Sequence, residues 1–321
     1  MIKLPRHIYP KDLSLSEGYS HFIRGFNKVL QGRIRTFLES SLSDRDGQIS
    51  ILTTGSDGRL EKGPVSEMEF IILREDTADA EQKMSKVIDK INNCPNELAD
   101  KDIEIKILGK NSMSNYRGYL ITPMRISDSV LLAGSEEIYA KARMQFLGEL
   151  FGETGKKILE TMKEKKRGAR KVTDSGSQRY KQQDLIHFDL DTGESYYDPL
   201  ANSRSFKEGP LRFVQYSLMH DIIKYFTTQD KEKSFKMLEN LPKNTEEKLR
   251  YLWVKELSSF TQGEINDLID NYLFFLYQYH ISQEAFKLKN RNIVEFDKNE
   301  VKKRLDDLVL LMAKPFIKVE K

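Results

Sequence analysis

LTTGSDGRLEKGPVSEMEFIIL, residues 52–73, is the stretch whose reading decides the fold. Its first residues close a run rich in β-branched side chains, Gln48 to Thr54, which predicts a short strand. Gly55-Ser56 then predicts a tight turn from which a short helix starts, because glycine accepts backbone conformations that other residues resist. Free N–H groups at such a turn, together with the Ser56 hydroxyl, can cradle a phosphate. Glu67 to Leu73 predicts a second strand. Successive strand residues point to opposite faces, so Glu67 and Glu69 present their carboxylates on one face. Paired carboxylates beside a phosphate cradle suit Mg²⁺, which takes oxygen ligands from one or two carboxylates and from substrate phosphates. Two such ions can stabilise both oxygens of an in-line phosphoryl displacement.

Working outward, Ser14 to Ser41 carries Phe22, Phe26, Val29, Leu30, Ile34 and Leu38 at three- and four-residue spacing, which predicts an amphipathic helix. Thr77 to Asn92 predicts a helix closed by Asn93-Cys94-Pro95. Asp102 to Ile107 alternates strictly and predicts a strand with one polar face, and Tyr116 to Thr122 offers a further strand. Glu104, on that polar face, is the candidate third carboxylate, with Asp102 as the alternative. An ordinary solvent face shows the same alternation. From Asp128 the pattern turns helical. Lys157 to Lys171 predicts a charged helix that leads into a joint at Thr173–Ser177. Residues 184–206 read as irregular, and helices are expected near 210–227, 231–260 with a break at Pro242, 263–283 and 298–313. No internal repeat or low-complexity tract interrupts this plan.

Gly55, Ser56, Gly58, Arg59, Glu61, Pro64 and Ser66 fall without a gap on a known signature: Gly-Gly/Ser-x-Gly-Arg-x-Glu, then Pro-x-Ser-Asp-x-Asp and an apolar strand. The segment resembles the uridylyltransferases that modify the PII protein, and related nucleotidyltransferases of the DNA polymerase β superfamily. Arg125 to Ile138, with Leu131-Leu132-Ala133-Gly134-Ser135, is similar to the family's helix region after the catalytic sheet. Lys207-Glu208-Gly209-Pro210-Leu211-Arg212 is similar to the turn that opens the family's helical domain. The resemblance covers about residues 50–225, strongly at the first motif and loosely elsewhere.

What it implies is an α+β fold: a polymerase-β-like mixed sheet with helices over residues 1–150, a helical arm and linker over 151–205, and an all-helical domain over 206–321. It implies an NTP, ATP among the possible donors, with Mg²⁺ or Mn²⁺ held by Glu67, Glu69 and Glu104 as the catalytic acids. Gly55, Ser56, Gly58 and Arg59 would hold the nucleotide, and Lys207 and Arg212 would close on it. A nucleoside monophosphate would pass to a protein or small-molecule acceptor. Both metal-binding aspartates of the family are glutamates here, which adds roughly 1.5 Å of reach at each. A degenerate nucleotidyltransferase fold with a binding or regulatory role is therefore the alternative. The uridylyltransferases' phosphohydrolase domain and ligand-sensing repeats have no expected counterpart.

Plainer readings stand beside these. Arg59 and Glu61 can pair with each other, and Lys207 and Arg212 can be surface charges beside a helix start. His220, His280 and the aromatic run Tyr272, Phe274, Phe275, Tyr277 and Tyr279 read as packing residues of the helical domain. With 52 basic and 49 acidic residues the net charge is +3, which gives no ground for a nucleic-acid partner. A single cysteine, Cys94, excludes an internal disulfide and reads as a half-buried packing residue. No apolar stretch is long enough to span a bilayer and Met1 to Ser14 lacks a signal-like apolar core, so a cytoplasmic protein is expected.

Overall fold

The structure, a computed structural model, describes residues 15–40, 47–97, 105–112, 128–182, 186–188, 195–197, 205–287 and 298–318. It is an α+β chain that divides into two compact units. The first comprises Phe22–Ile158 and Phe226–Thr245; the second comprises Leu159–Tyr225 and Glu246–Lys321, with the segment that ends at His21.

The first unit is built on a mixed four-stranded sheet of β1 (Ile49–Thr53), β2 (Met68–Arg74), β3 (Ile105–Ser112) and β4 (Val130–Gly134), in the order β3-β2-β1-β4. β1 runs antiparallel to β2 and β4, while β2 and β3 are parallel. A parallel pair needs a crossover, and helix α3 (Ala78–Glu97) supplies it. Met68, Phe70 and Ile72 of β2 and Ile49 and Ile51 of β1 share a core with Leu30, Ile34 and Leu38 of α1 (Leu15–Glu39) and Val87, Ile91 and Cys94 of α3. The alternate residues Ile71 and Leu73 are buried as well, so β2 is covered on both faces, and α4 (Glu136–Leu150) lies against β1 and β2. That is why β2 reads as a continuous apolar run after Glu69.

Five expectations need correction. Val29 is 65% exposed, so the apolar stripe of α1 runs through Ile23, Leu30, Ile34 and Leu38 instead. α3 continues through Cys94 and Pro95 to Glu97. Cys94 is wholly buried in the core rather than half-buried, and packing of Ile91 and Cys94 holds the last turn helical despite the N–H that Pro95 lacks. Val130–Gly134 is a strand and not part of a helix. Its Val-Leu-Leu-Ala sequence has good helix formers and too little length to show alternation, and pairing with β1 decides the outcome. Residues 173–177 are not a joint: α5 runs unbroken over Glu153–Gln182. There the buried Thr173 turns its hydroxyl back onto the carbonyl of Ala169 at 2.9 Å. The expected strand at Tyr116–Thr122 and the start of the strand expected from Asp102 lie outside the described residues, where β3 begins at Ile105.

Among its described residues the second unit is mostly helical, with a small ribbon, β5 (Ile186–Phe188) with β6 (Ser195–Tyr197), inside the stretch that read as irregular. The segment Lys207–Leu211 widens into a π turn around Pro210, which has no N–H to donate, and runs on into α6 (Arg212–Thr228). α7 (Lys231–Glu239) belongs to the first unit; after it the chain breaks at Pro242, as its sequence predicts, before α8 (Thr245–Val254), α9 (Gln262–Lys287) and α10 (Lys298–Leu311). Tyr272, Phe274, Phe275 and Tyr279 of α9 are buried, Phe275 against Phe206 at 5.9 Å between ring centres. No helix among the described residues is long and apolar enough to cross a membrane.

Candidate functional site

β1 ends at Thr53, and Thr54 leads in extended conformation into α2, the single turn Gly55–Gly58. Gly55 adopts a left-handed φ of +65°, which a side chain would strain. Space excludes a side chain too: a Cβ there would stand 2.6 Å from Glu69 Oε2. The Glu69 carboxylate therefore lies directly against the Gly55 backbone. Glu67 and Glu69 sit on the same side at the start of β2, half-buried, alternating with the buried Met68 and Phe70. Glu67 Oε2 also pairs with Lys106 Nζ at 3.6 Å on the neighbouring strand, an exposed contact of small energetic weight.

The turn is closed by the Glu61 N–H on the Ser56 carbonyl at 2.8 Å and the Leu60 N–H on the Asp57 carbonyl at 3.0 Å. Leu60 takes a left-handed φ of 59° in a place where helix ends usually carry glycine. That conformation costs a leucine about 1–2 kcal/mol. It redirects the chain so that Arg59 and Glu61 both point inward. Arg59 Nε donates to Glu61 Oε2 at 2.7 Å and Nη1 to Asp128 Oδ2 at 2.9 Å. Glu61 Oε1 takes the Thr245 N–H at 2.9 Å, and the Asn244 amide donates to the Arg59 carbonyl at 2.9 Å. The expected Arg59–Glu61 pair is thus present, buried, with Asp128 as a third member. Gly58 touches the same network, because a Cβ there would overlap the Asp128 carbonyl oxygen at 1.7 Å.

Asp57 is the residue that the sequence reading passed over, since it fills an unspecified position of the signature. It is buried, its Oδ2 accepts the Glu69 N–H at 3.0 Å, and among the described residues its Oδ1 has no hydrogen-bond partner. Burial pushes its pKa up to about 7, against the opposing pull of the Lys62 charge and the Glu69 N–H. Lys62 is itself fully buried, with its ammonium on the Gly63 carbonyl at 3.1 Å. A raised carboxyl pKa means that the folded protein holds this proton after the unfolded chain has lost it. The stabilisation is complete below the unfolded pKa near 4 and is lost as pH rises toward 7. The non-titrating variant Asp57→Asn should therefore gain stability relative to the native chain across pH 4–7, by a few kcal/mol in order of magnitude. Urea midpoints of the two proteins that stay parallel across this range would contradict it.

The remaining expected residues are distributed as follows. Gly55, Ser56, Gly58, Arg59, Glu67 and Glu69 occupy one strand–turn–strand of the first unit. Glu104 and Asp102 lie outside the described residues. Among the described residues no group of three or more His, Cys, Asp or Glu side chains could hold a metal ion. Lys207 and Arg212 belong to the second unit, where the Lys207 ammonium stands over the Tyr279 ring at 5.7 Å and Arg212 pairs with Glu208. In that unit His220-Asp221 is a His-Asp dipeptide, which corrects the expectation that the chain has none. Here both Asp221 oxygens are taken, one by His220 Nδ1 at 2.9 Å and the other by the Phe316 N–H at 2.8 Å. The dipeptide anchors the end of the chain, as packing histidines do. His280 is buried and joined to the Tyr19 hydroxyl. No protein-family model matches the chain, and no protein of curated function matches its sequence.

Proposed function

We propose that the chain is a Mg²⁺- or Mn²⁺-dependent nucleotidyltransferase with a polymerase-β-like catalytic sheet. It would move a nucleoside monophosphate from an NTP to a protein or small-molecule acceptor. The observation that carries this reading is the Glu69 carboxylate held against Gly55, at the mouth of a turn whose sequence is that of a phosphate cradle. A carboxylate and a phosphate at one backbone turn repel each other unless a cation stands between them. The oxygen-only donors Glu67 and Glu69, on one face, suit such a hard cation. When bound, Mg²⁺ would offset the triphosphate charge and the charge that develops on the leaving oxygens. The chain's own contribution is positioning. Gly55 and Ser56 hold the phosphates, and the acceptor oxygen is oriented toward the α-phosphorus. A new P–O bond forms there as the acceptor hydroxyl gives its proton to solvent, the bond to the bridging oxygen breaks and pyrophosphate departs.

The test is transfer of α-labelled ATP, UTP, GTP or CTP in the presence of cell lysate and Mg²⁺ or Mn²⁺. Native protein is expected to label a discrete acceptor. Glu67→Gln/Glu69→Gln is expected to lose on the order of a hundredfold in rate, as misplaced catalytic groups do. Calorimetry should show NTP binding with metal and none in its absence. One observation favours a second reading, a nucleotidyltransferase fold retained for binding or regulation: Glu67 is already paired with Lys106. No label transfer together with no NTP binding under either metal would select that reading, and metal-dependent NTP binding would count against it.

A further inference from the structure

In an antiparallel pair, residues directly opposite each other in a hydrogen-bonded position exchange both N–H···O bonds. β1 and β2 do so up to their last shared rung, where only half of the exchange survives. The Thr54 N–H still donates to the Glu69 carbonyl at 3.2 Å, and the Thr53 hydroxyl reaches the same oxygen at 3.2 Å. The Thr54 carbonyl, however, has turned away with the chain and accepts the Gly58 N–H of α2 at 3.4 Å. The Glu69 N–H would be left without its strand partner. Asp57 Oδ2 takes it, at 3.0 Å, from inside the turn.

We infer that Asp57 is a positioning residue: its carboxylate replaces the lost rung of the sheet and thereby fixes Glu69 against the Gly55-Ser56 turn. The peptide of Glu69 is held on its N–H by Asp57 and on its carbonyl by Thr53 and Thr54, so its side chain starts from a fixed base and extends over Gly55. Asp57 is itself held, because the Gln31 amide donates to its carbonyl at 2.6 Å. Phosphate turn and acidic strand therefore move as one body. Any residue at this position must bring an acceptor oxygen at the reach of aspartate; asparagine does, and alanine does not. The consequence for cation binding rests on the function proposed above, whereas the role in fixing Glu69 does not.

The deciding experiment compares native protein with Asp57→Ala and Asp57→Asn by two readouts. One is the exchange rate of the Glu69 amide proton by NMR; the other is the affinity for Mn²⁺ with a non-hydrolysable ATP analogue. Asp57→Ala is expected to speed Glu69 amide exchange at least tenfold and to weaken Mn²⁺–nucleotide binding about tenfold, the effect of one lost hydrogen bond to a buried group. Asp57→Asn is expected to restore both to within about threefold of native. Unchanged amide protection in a folded Asp57→Ala overturns the inference. If the alanine variant does not fold, loss of protection in Asp57→Asn overturns it and retention supports it. Native protein that binds no Mn²⁺–nucleotide removes the proposed function, while amide exchange still decides the role of Asp57.

Discussion

Arg59→Met is expected to lower the stability of the first unit by about 3–5 kcal/mol, the usual cost of removing one partner from a buried charge group. The guanidinium is the common partner of two carboxylates that solvent barely reaches: the Glu61 side chain is 2% exposed and that of Asp128 is 0% exposed. Without it, the two anions share a buried space, and Glu61 still accepts the Thr245 N–H. Urea denaturation at neutral pH measures the loss. The triple variant Arg59→Met/Glu61→Gln/Asp128→Asn, which removes all three charges together, should recover much of it, because matched removal leaves no uncompensated ion. A single variant within about 1 kcal/mol of native would show that the network does not hold this turn. The triple variant also isolates any part that Arg59 plays toward a nucleotide, since its fold no longer depends on the guanidinium.

Gly58→Ala is expected to cost at least about 3 kcal/mol, at the severe end of overpacking. The added methyl would overlap the Asp128 carbonyl oxygen at 1.7 Å and its carbon at 2.8 Å, and neither can retreat. The Asp128 side chain is fixed by Arg59, and the carbonyl of the next residue, Ser129, accepts both the Lys243 ammonium and the Tyr139 hydroxyl. Thermal unfolding without nucleotide is the appropriate measurement. A phosphate-contacting glycine with no packing role would leave that value within about 1 kcal/mol of native, whereas backbone overlap lowers it whether or not ligand is present.

These two residues mark how far the sequence was legible. β1, β2 and the Gly55 turn could be read because their signals are local: β-branched alternation, then glycine. The shared face of Glu67 and Glu69 follows from the same period of two. Asp128 gave no such signal, since its partner Arg59 lies 69 positions away and nothing along the chain marks the pair. Asp57 was hidden for a different reason. Its side chain replaces a backbone hydrogen bond that exists only once β1 and β2 have met. β4 and the end of α3 were misread where long-range packing outweighed local preference, at Val130–Gly134 and at Pro95. In the helical part the break at Pro242 and the burial of Tyr272, Phe274, Phe275 and Tyr279 followed directly from composition and spacing, while Tyr277 is only partly buried.

The Thr245 N–H that completes Glu61 lies 184 residues downstream of it. At translation speeds of about 5–20 residues per second, a ribosome needs roughly 10–40 s to travel that distance. Once Gly134 has been made, the nascent chain holds the sequence of all four strands yet still lacks the segment that finishes its buried polar cluster. Final closure of the turn is therefore late in biosynthesis. A message cut short between the codons for Gly134 and Asn244 yields a product whose four strands are encoded in full and whose inward-facing glutamate has lost the backbone donor meant for it.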